Sequence, residues 1–380
     1  MKIVSVVGAR PNFMKVAPFC RALKAYPDVK HVLVHTGQHY DVRMSEQFFK
    51  ELDIPNPDIN LEIGSGSHAE QVGRTMIAFE KVLREEKPDW VVVLGDVNAT
   101  CACSITAKKE HIKCAHIEAG LRSRDMDMPE EINRLVTDRL SDLLLTPDRL
   151  SNANLKAEGV EDEKIKFVGN IMIDTLERER EKAAALDINE IIRGNLIDEL
   201  SGRDIPSLSE RGYVAMTMHR PSNVDQRETL EPAMRFFLDE ITKEYPIVWA
   251  IHPRAQKMLK EFGLWGEVVA NENMILVKPL GYHAMLRLNM GARLFMTDSG
   301  GLQEECCVLG TPCLTMRWNT ERPITLMENG GASILVGNAV EKMRDAYRSQ
   351  IDAPRHAMRP ELWDGHTAER IAKELVSYKL

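Results

Sequence analysis

The sequence predicts an α/β protein built as two Rossmann-like parallel-sheet domains facing a cleft. Short apolar runs alternate with longer amphipathic segments, the alternation breaks once and resumes, and polar or glycine-bearing residues directly follow the apolar runs. Strands alternating with helices form parallel sheets covered on both faces. At 380 residues the chain is also too long for one ordinary core, so two domains are expected.

The first set of strands is expected at Ile3–Val7, Val32–His35, Trp90–Leu94, Cys114–Ile117, Leu143–Leu145 and Lys166–Val168. Helical spacing marks Phe13–Ala25, Met44–Glu51, His68–Glu86, Ala99–Lys109, Pro129–Leu140 and Asp148–Glu158. The charged segment Glu177–Arg203 and the polar stretch Asp204–Gly212 then interrupt the pattern. A second set follows at Tyr213–Thr217, Ile247–Ile251, Met274–Val277, Leu294–Met296, Cys313–Thr315 and Ser333–Val336. The domains are therefore residues 1–170 and 171–365, with a C-terminal helix over 366–380 available to pack back on the first.

Composition narrows the function classes. With 44% hydrophobic and 28% charged residues, the chain is a soluble globular protein and not a disordered one. A net charge of -8 argues against nucleic acid as the main partner, because phosphate backbones call for a basic face. No apolar stretch is long enough to span a bilayer, and the opening MKIVSVVGARPNFMK lacks the pattern of a signal peptide. Seven cysteines without a regular framework fit buried free thiols in a reducing cytoplasm, with no metal knuckle.

Ligands of open α/β sheets bind beyond the carboxyl ends of the strands. Gly8-Ala9-Arg10, Gly95-Asp96, Glu118-Ala119-Gly120, His219-Arg220, His252-Pro253-Arg254 and Asp298-Ser299-Gly300-Gly301 all occupy such ends. Ser299-Gly300-Gly301 joins a strand to a helix expected from Leu302; its glycines admit a ligand to the backbone and the helix start supplies free N–H groups for a phosphate. Glu304 and Glu305 open that helix, either as ordinary dipole complements or as acceptors for ribose hydroxyls. Arg10 and Lys15 flank the first turn and are either surface cations or partners of a diphosphate.

Asp96, Glu118 and Glu130 are the acid/base candidates, because carboxylates sharing a dry cleft raise one another's proton affinity. The bland alternatives make Asp96 a helix N-cap and Glu130 a first-turn acid. The IGSGSH segment before the long helix reads as an ordinary connection, and Gln38-His39-Tyr40 has no role from chemistry alone. No GxGxxG follows the first strand and no GxxxxGK[ST] occurs, so a dinucleotide cofactor and a P-loop lose support.

Taken in order, GARPNFMK, HTGQHYD, GDVNAT, HIEAGLRS, MPEEINR, MHRPSN, TDSGGLQEE and TERP resemble the non-hydrolysing UDP-N-acetylglucosamine 2-epimerases. The likeness runs from Lys2 to about Gly337. It implies a glycosyltransferase-B-like fold, a cytoplasmic homodimer, no cofactor and no metal. It also implies interconversion of UDP-N-acetylglucosamine and UDP-N-acetylmannosamine, by loss of UDP to a 2-acetamidoglucal and re-addition. By motif match, Asp96, Glu118, Glu130 and His219 carry the acid/base and leaving-group roles. Arg10, Lys15, His219, Ser299, Gly300 and Gly301 would hold the diphosphate, Glu305 the ribose, and the segment from Tyr282 to Met285 the uracil, with Arg220 and Arg322 completing the UDP set.

Tyr40 stands where many bacterial relatives carry Arg, in a region associated with activation by a second substrate molecule. HTGQHYD with IGSGSH also resembles C2-epimerases of UDP-2,3-diacetamido-2,3-dideoxy-glucuronate, which is the alternative reading. A UDP-sugar glycosyltransferase is the more distant one, since a transferase needs no base aimed at C2.

Overall fold

The computed structural model describes residues 1–37 and 49–378, and the side chain of Arg10 lies outside what is described. Gln38, His39 and Tyr40 also fall outside it, as does most of the helix expected over Met44–Glu51. The chain forms two compact units, Met1–Arg178 with Pro360–Leu380, and Glu179–Arg359.

Unit one holds a seven-stranded sheet in the order β3-β2-β1-β4-β5-β6-β7. Its strands are β1 Lys2–Val7, β2 Lys30–His35, β3 Ile59–Asn60, β4 Trp90–Leu94, β5 Lys113–Ile117, β6 Leu143–Thr146 and β7 Ile165–Phe167. Every pairing is parallel, with Ile3 opposite Trp90 and Val91 opposite Cys114. β4 reads WVVVL and is buried throughout, as a central parallel strand covered on both faces must be.

Unit two repeats the plan with six parallel strands in the order β10-β9-β8-β11-β12-β13. These are β8 Val214–Thr217, β9 Ile247–Ala250, β10 Met274–Val277, β11 Leu294–Thr297, β12 Cys313–Thr315 and β13 Ser333–Leu335. In each sheet the first strand is flanked by the second strand on one side and by a later strand on the other. Strand order therefore reverses between β1 and β4, and again between β8 and β11. A crevice opens at such a reversal because the connections leave in opposite directions.

The units divide at 178/179 and 359/360, whereas the sequence suggested 170/171 and 365/366. The start of the helix Ile171–Ala184 belongs to unit one: Ile171, Met172, Ile173 and Leu176 are buried, and Thr175 Oγ1 donates to the Met14 carbonyl at 2.6 Å. Asp174 on the same helix accepts the amides of Thr367 and Ala368 at 3.0 and 2.7 Å, capping the helix Thr367–Ser377. That C-terminal helix packs back on unit one, where the Tyr378 and Trp90 rings meet edge to face at 5.0 Å.

All seven cysteines are free and buried. Among the described residues no helix is long and apolar enough to cross a membrane, and no group of three or more His, Cys, Asp or Glu side chains could hold a metal ion.

Candidate active site

At the reversal in unit one, Asn12 ties the turn after β1 to the end of β4. Its Oδ1 accepts the amides of Gly8 and Ala9 at 3.0 and 3.1 Å, and its Nδ2 donates to the Leu94 carbonyl at 2.9 Å. One helical turn on, Lys15 is buried and its Nζ donates to Glu118 Oε2. Glu118 is only 4% exposed and has φ of +76°, a left-handed conformation unusual for a residue with a side chain. Such a conformation costs about 1–2 kcal/mol and persists only where the surroundings impose it. Here the amides of Glu118 and Ala119 both bond the Leu145 carbonyl, at 3.0 and 3.2 Å. Gly95 must lack a side chain: its φ is +64°, and a methyl group there would fall 2.9 Å from Lys15 Nζ and 3.3 Å from Glu118 Oε2.

Asp96 follows Gly95 and is half-buried. It does not cap the next helix, which runs Asn98–Lys109 with Val97 as its N-cap. Its carboxylate instead receives Arg134 Nη1. Arg134 also binds Glu131 through Nε and Nη2 at 3.0 and 2.6 Å. Glu131 accepts the amides of Ser123 and Arg124, each at 2.9 Å. Burial pushes the Glu131 carboxyl up, but the Ser123 amide and the Arg134 guanidinium outweigh it and hold the group below the usual carboxylate range. Glu130, next in the same helix Pro129–Leu140, is half-buried and its side chain has no partner among the described residues. The two neighbours thus divide the labour: Glu131 fixes a loop and Glu130 stays available.

His116, prominent in the HIEAGLRS motif, is consumed by structure. Nδ1 lies 2.6 Å from Asp138 Oδ1 and Nε2 lies 2.8 Å from the Gly95 carbonyl, so neither ring nitrogen is left for a ligand. Asp138 also accepts Arg122 Nη1 at 2.6 Å and the Gly120 amide at 3.0 Å. Burial raises its carboxyl, but His116 and Arg122 more than offset that and keep it below the ordinary value.

At the reversal in unit two, Asp298 is fully buried and organises the end of β8. Its Oδ2 accepts the amides of His219 and Arg220 at 2.8 Å each and Asn223 Nδ2 at 3.0 Å, while Oδ1 lies 2.6 Å from His219 Nδ1. Burial pushes this carboxyl up; the His219 ring and the two amides prevail and hold it low. The His219 side chain is 42% exposed, so a buried carboxylate orients an accessible imidazole whose Nε2 has no hydrogen-bond partner among the described residues. Arg220 Nε donates to the Asp298 carbonyl at 3.0 Å.

Ser299 is the N-cap of a helix that runs Gly300–Leu309, so Glu304 and Glu305 sit in its second turn and do not open it. A methyl group on Gly300 would come within 2.6 Å of Glu321 Oε1 and 2.7 Å of Arg322 Nη1. Arg322 is buried between Glu321 and Glu304, the latter 2.7 Å from its Nε, and Arg317 pairs with Glu321 at 2.6 Å. Arg322 therefore buttresses the Ser299-Gly300 turn. Glu305 is 4% exposed, and burial pushes its carboxyl up to about 7. Tyr282 is buried at the start of the helix Tyr282–Gly291, and Met285 lies half-buried within it.

The family model described as UDP-N-acetylglucosamine 2-epimerase matches residues 21–376. The chain belongs to that family. A UDP-N-acetylglucosamine 2-epimerase of Methanocaldococcus jannaschii is 41% identical over 378 residues, covering 99% of each chain. A crystal structure of the M. jannaschii UDP-GlcNAc 2-epimerase in complex with UDP-GlcNAc and UDP matches 100% of both chains at 40% identity with a TM-score of 0.89. A Pseudomonas aeruginosa UDP-2,3-diacetamido-2,3-dideoxy-D-glucuronate 2-epimerase is 37% identical, covering 92% of each. The resemblance drawn from the motifs is borne out, and with it an epimerase with two glycosyltransferase-B-like parallel sheets.

Motif reading of the epimerase gave no supporting role to Asn12, Arg134, Asp138 or Asp298, which hold the turns around its candidates. Each is a polar residue with a bland local explanation, and only long-range contacts give it a role.

Proposed function

We propose that this chain interconverts UDP-N-acetylglucosamine and UDP-N-acetylmannosamine. The observation that carries this reading is that the motif residues of each unit gather at its strand-order reversal, in a chain alike over 99% of its length to such an epimerase. Unit two holds UDP: Ser299, Gly300 and Gly301 offer the diphosphate a helix start, Arg220 adds charge, Glu305 meets the ribose, and Tyr282 and Met285 line the uracil end. Arg322 supports that turn from beneath. Unit one supplies Asp96, Glu118 and Glu130 for the proton transfers at C2, and the motif match assigns Arg10 and Lys15 to the diphosphate.

In the forward step a carboxylate takes the C2 proton as the bond from C1 to the β-phosphate oxygen breaks, leaving a 2-acetamidoglucal. Oriented donors, among them His219, meet the charge growing on UDP. UDP then adds back to C1 while a proton is delivered to the opposite face of C2. No cofactor takes part in this sequence. Assembly as a cytoplasmic homodimer is part of the same reading, with no role for nucleic acid or membrane.

The test is incubation with UDP-N-acetylglucosamine in heavy water, following C2 by NMR. Deuterium at C2 with a mannosamine product supports the reading. Transfer of the sugar to an acceptor without exchange favours a glycosyltransferase. The 37% identity to the Pseudomonas enzyme favours a second substrate, the diacetamido-glucuronate, and turnover of that sugar alone would select it.

A further inference from the structure

The IGSGSH segment is tied at both ends. Ile63 and Gly64 donate their amides to Thr36 and Gly37 at 2.9 Å, at the carboxyl end of β2. Ser67 then caps the helix His68–Glu86 with a reciprocal box: Ser67 Oγ accepts the Glu70 amide at 3.3 Å, and Glu70 Oε2 accepts the Ser67 amide at 2.9 Å. His68 is the first residue of that helix and is exposed. Its backbone is thus held from both sides.

Its ring is held as well, through a chain of amides that begins at Asp96. The Asp96 carbonyl can only accept, so the Asn133 atom 2.9 Å from it is the donor Nδ2. The same Nδ2 faces Asn98 at 3.3 Å, which fixes the facing Asn98 atom as Oδ1. Asn98 Nδ2 then points the other way, with its two hydrogens directed to Gln71 Oε1 at 2.7 Å and to His68 Nδ1 at 3.1 Å. His68 Nδ1 also lies 3.3 Å from Asn98 Oδ1, the longer of its two contacts with that amide; paired with the nearer Nδ2 it accepts, which puts the ring's hydrogen on Nε2. In that tautomer the ring presents a donor two side chains away from the backbone of Asp96.

We infer that His68 is a substrate-orienting residue whose Nε2–H donates to an acceptor oxygen on the hexose, the part of the substrate on which Asp96 works. This rests on the epimerase reading and adds a sugar contact to it. The donor is wired to the unit that carries the carboxylates and not to the unit that carries the nucleotide groups, so sugar handling and UDP affinity separate experimentally.

The experiment compares wild type, His68→Ala and His68→Gln, measuring kcat and KM with UDP-N-acetylglucosamine, the inhibition constant for UDP, and the 15N imidazole shifts of the free wild-type protein. Losing an uncharged donor is worth about a 5- to 30-fold fall in kcat/KM. His68→Ala is expected to show that fall with UDP inhibition unchanged, and His68→Gln, whose amide also donates, to recover most of it. The 15N shifts should report hydrogen on Nε2. Activity of His68→Ala within twofold of wild type, an equal loss of UDP affinity, or hydrogen on Nδ1 would each overturn the inference. If wild type leaves C2 unexchanged, it is the epimerase reading that fails, and the tautomer is still read from the free protein.

Discussion

The two strand-order reversals share a topology and manage charge in opposite ways. Between β1 and β4, carboxylates are collected and two of the three candidates pair with a cation: Glu118 with Lys15 and Asp96 with Arg134. Between β8 and β11 the buried carboxylate that follows β11, Asp298, is spent on backbone amides, Asn223 and His219, and an imidazole, glycines and a helix start lie beside it. Topology fixes where a crevice forms, and the two or three residues after each strand decide what it attracts. In this chain one reversal suits proton transfer and the other suits an anion.

Glu118→Gln should break the contrast most completely. It keeps shape and removes one of the three candidate bases, so under the proposed mechanism C2 exchange should drop by at least about a thousandfold while calorimetry still detects UDP binding. Lost UDP binding in a folded variant would make Glu118 a ligand-holding residue instead. Next comes Asp298→Asn, which frees the His219 ring from its orienting carboxylate; turnover should fall roughly 10- to 100-fold, the usual loss when such an outer partner is removed. Circular dichroism must first establish that the variant folds, because Asp298 also holds two amides.

Gly300→Ala sharpens the anion side alone. The added methyl must push Glu321 or Arg322 aside, for about 1–3 kcal/mol of strain, and should weaken UDP roughly tenfold with C2 chemistry on bound substrate intact. The smallest effect is on stability. With its carboxyl raised to about 7 by burial, Glu305 binds a proton in the folded chain that the unfolded chain releases near 4.5. Its contribution is therefore fully present below about 4.5 and is lost as pH rises towards 7. Glu305→Gln should flatten that slope in thermal melts of the ligand-free protein between pH 5 and 8, and an unchanged slope would place the titration elsewhere.

Much of this was legible because it is local. Apolar runs such as WVVVL and LLLT, bounded by charge and glycine, mark strands wherever the chain places them. The order of the strands was not, since Ile3 pairing with Trp90 is a contact no local pattern encodes. Glu130 and Glu131 are indistinguishable in sequence; their fates diverge because adjacent helical residues point in different directions and only one meets the Ser123–Arg124 amides. Asp96 sits two residues before a helix, where capping is the natural expectation, and a buried arginine from a later helix draws it away. The helix after β11 begins two residues earlier than expected, because glycines read as loop residues, whereas Gly300 starts the helix where Glu321 and Arg322 leave no room for a side chain.

The manner in which unit one closes bears on how the protein is made. The Asp174 carboxylate awaits amide partners 193 residues later in the chain. At ordinary translation speeds that is a delay of roughly 10–40 s, during which the first-made sheet lacks its last helix while the second unit, uninterrupted in sequence, has everything it needs. The half that begins first on the ribosome is the half that finishes last.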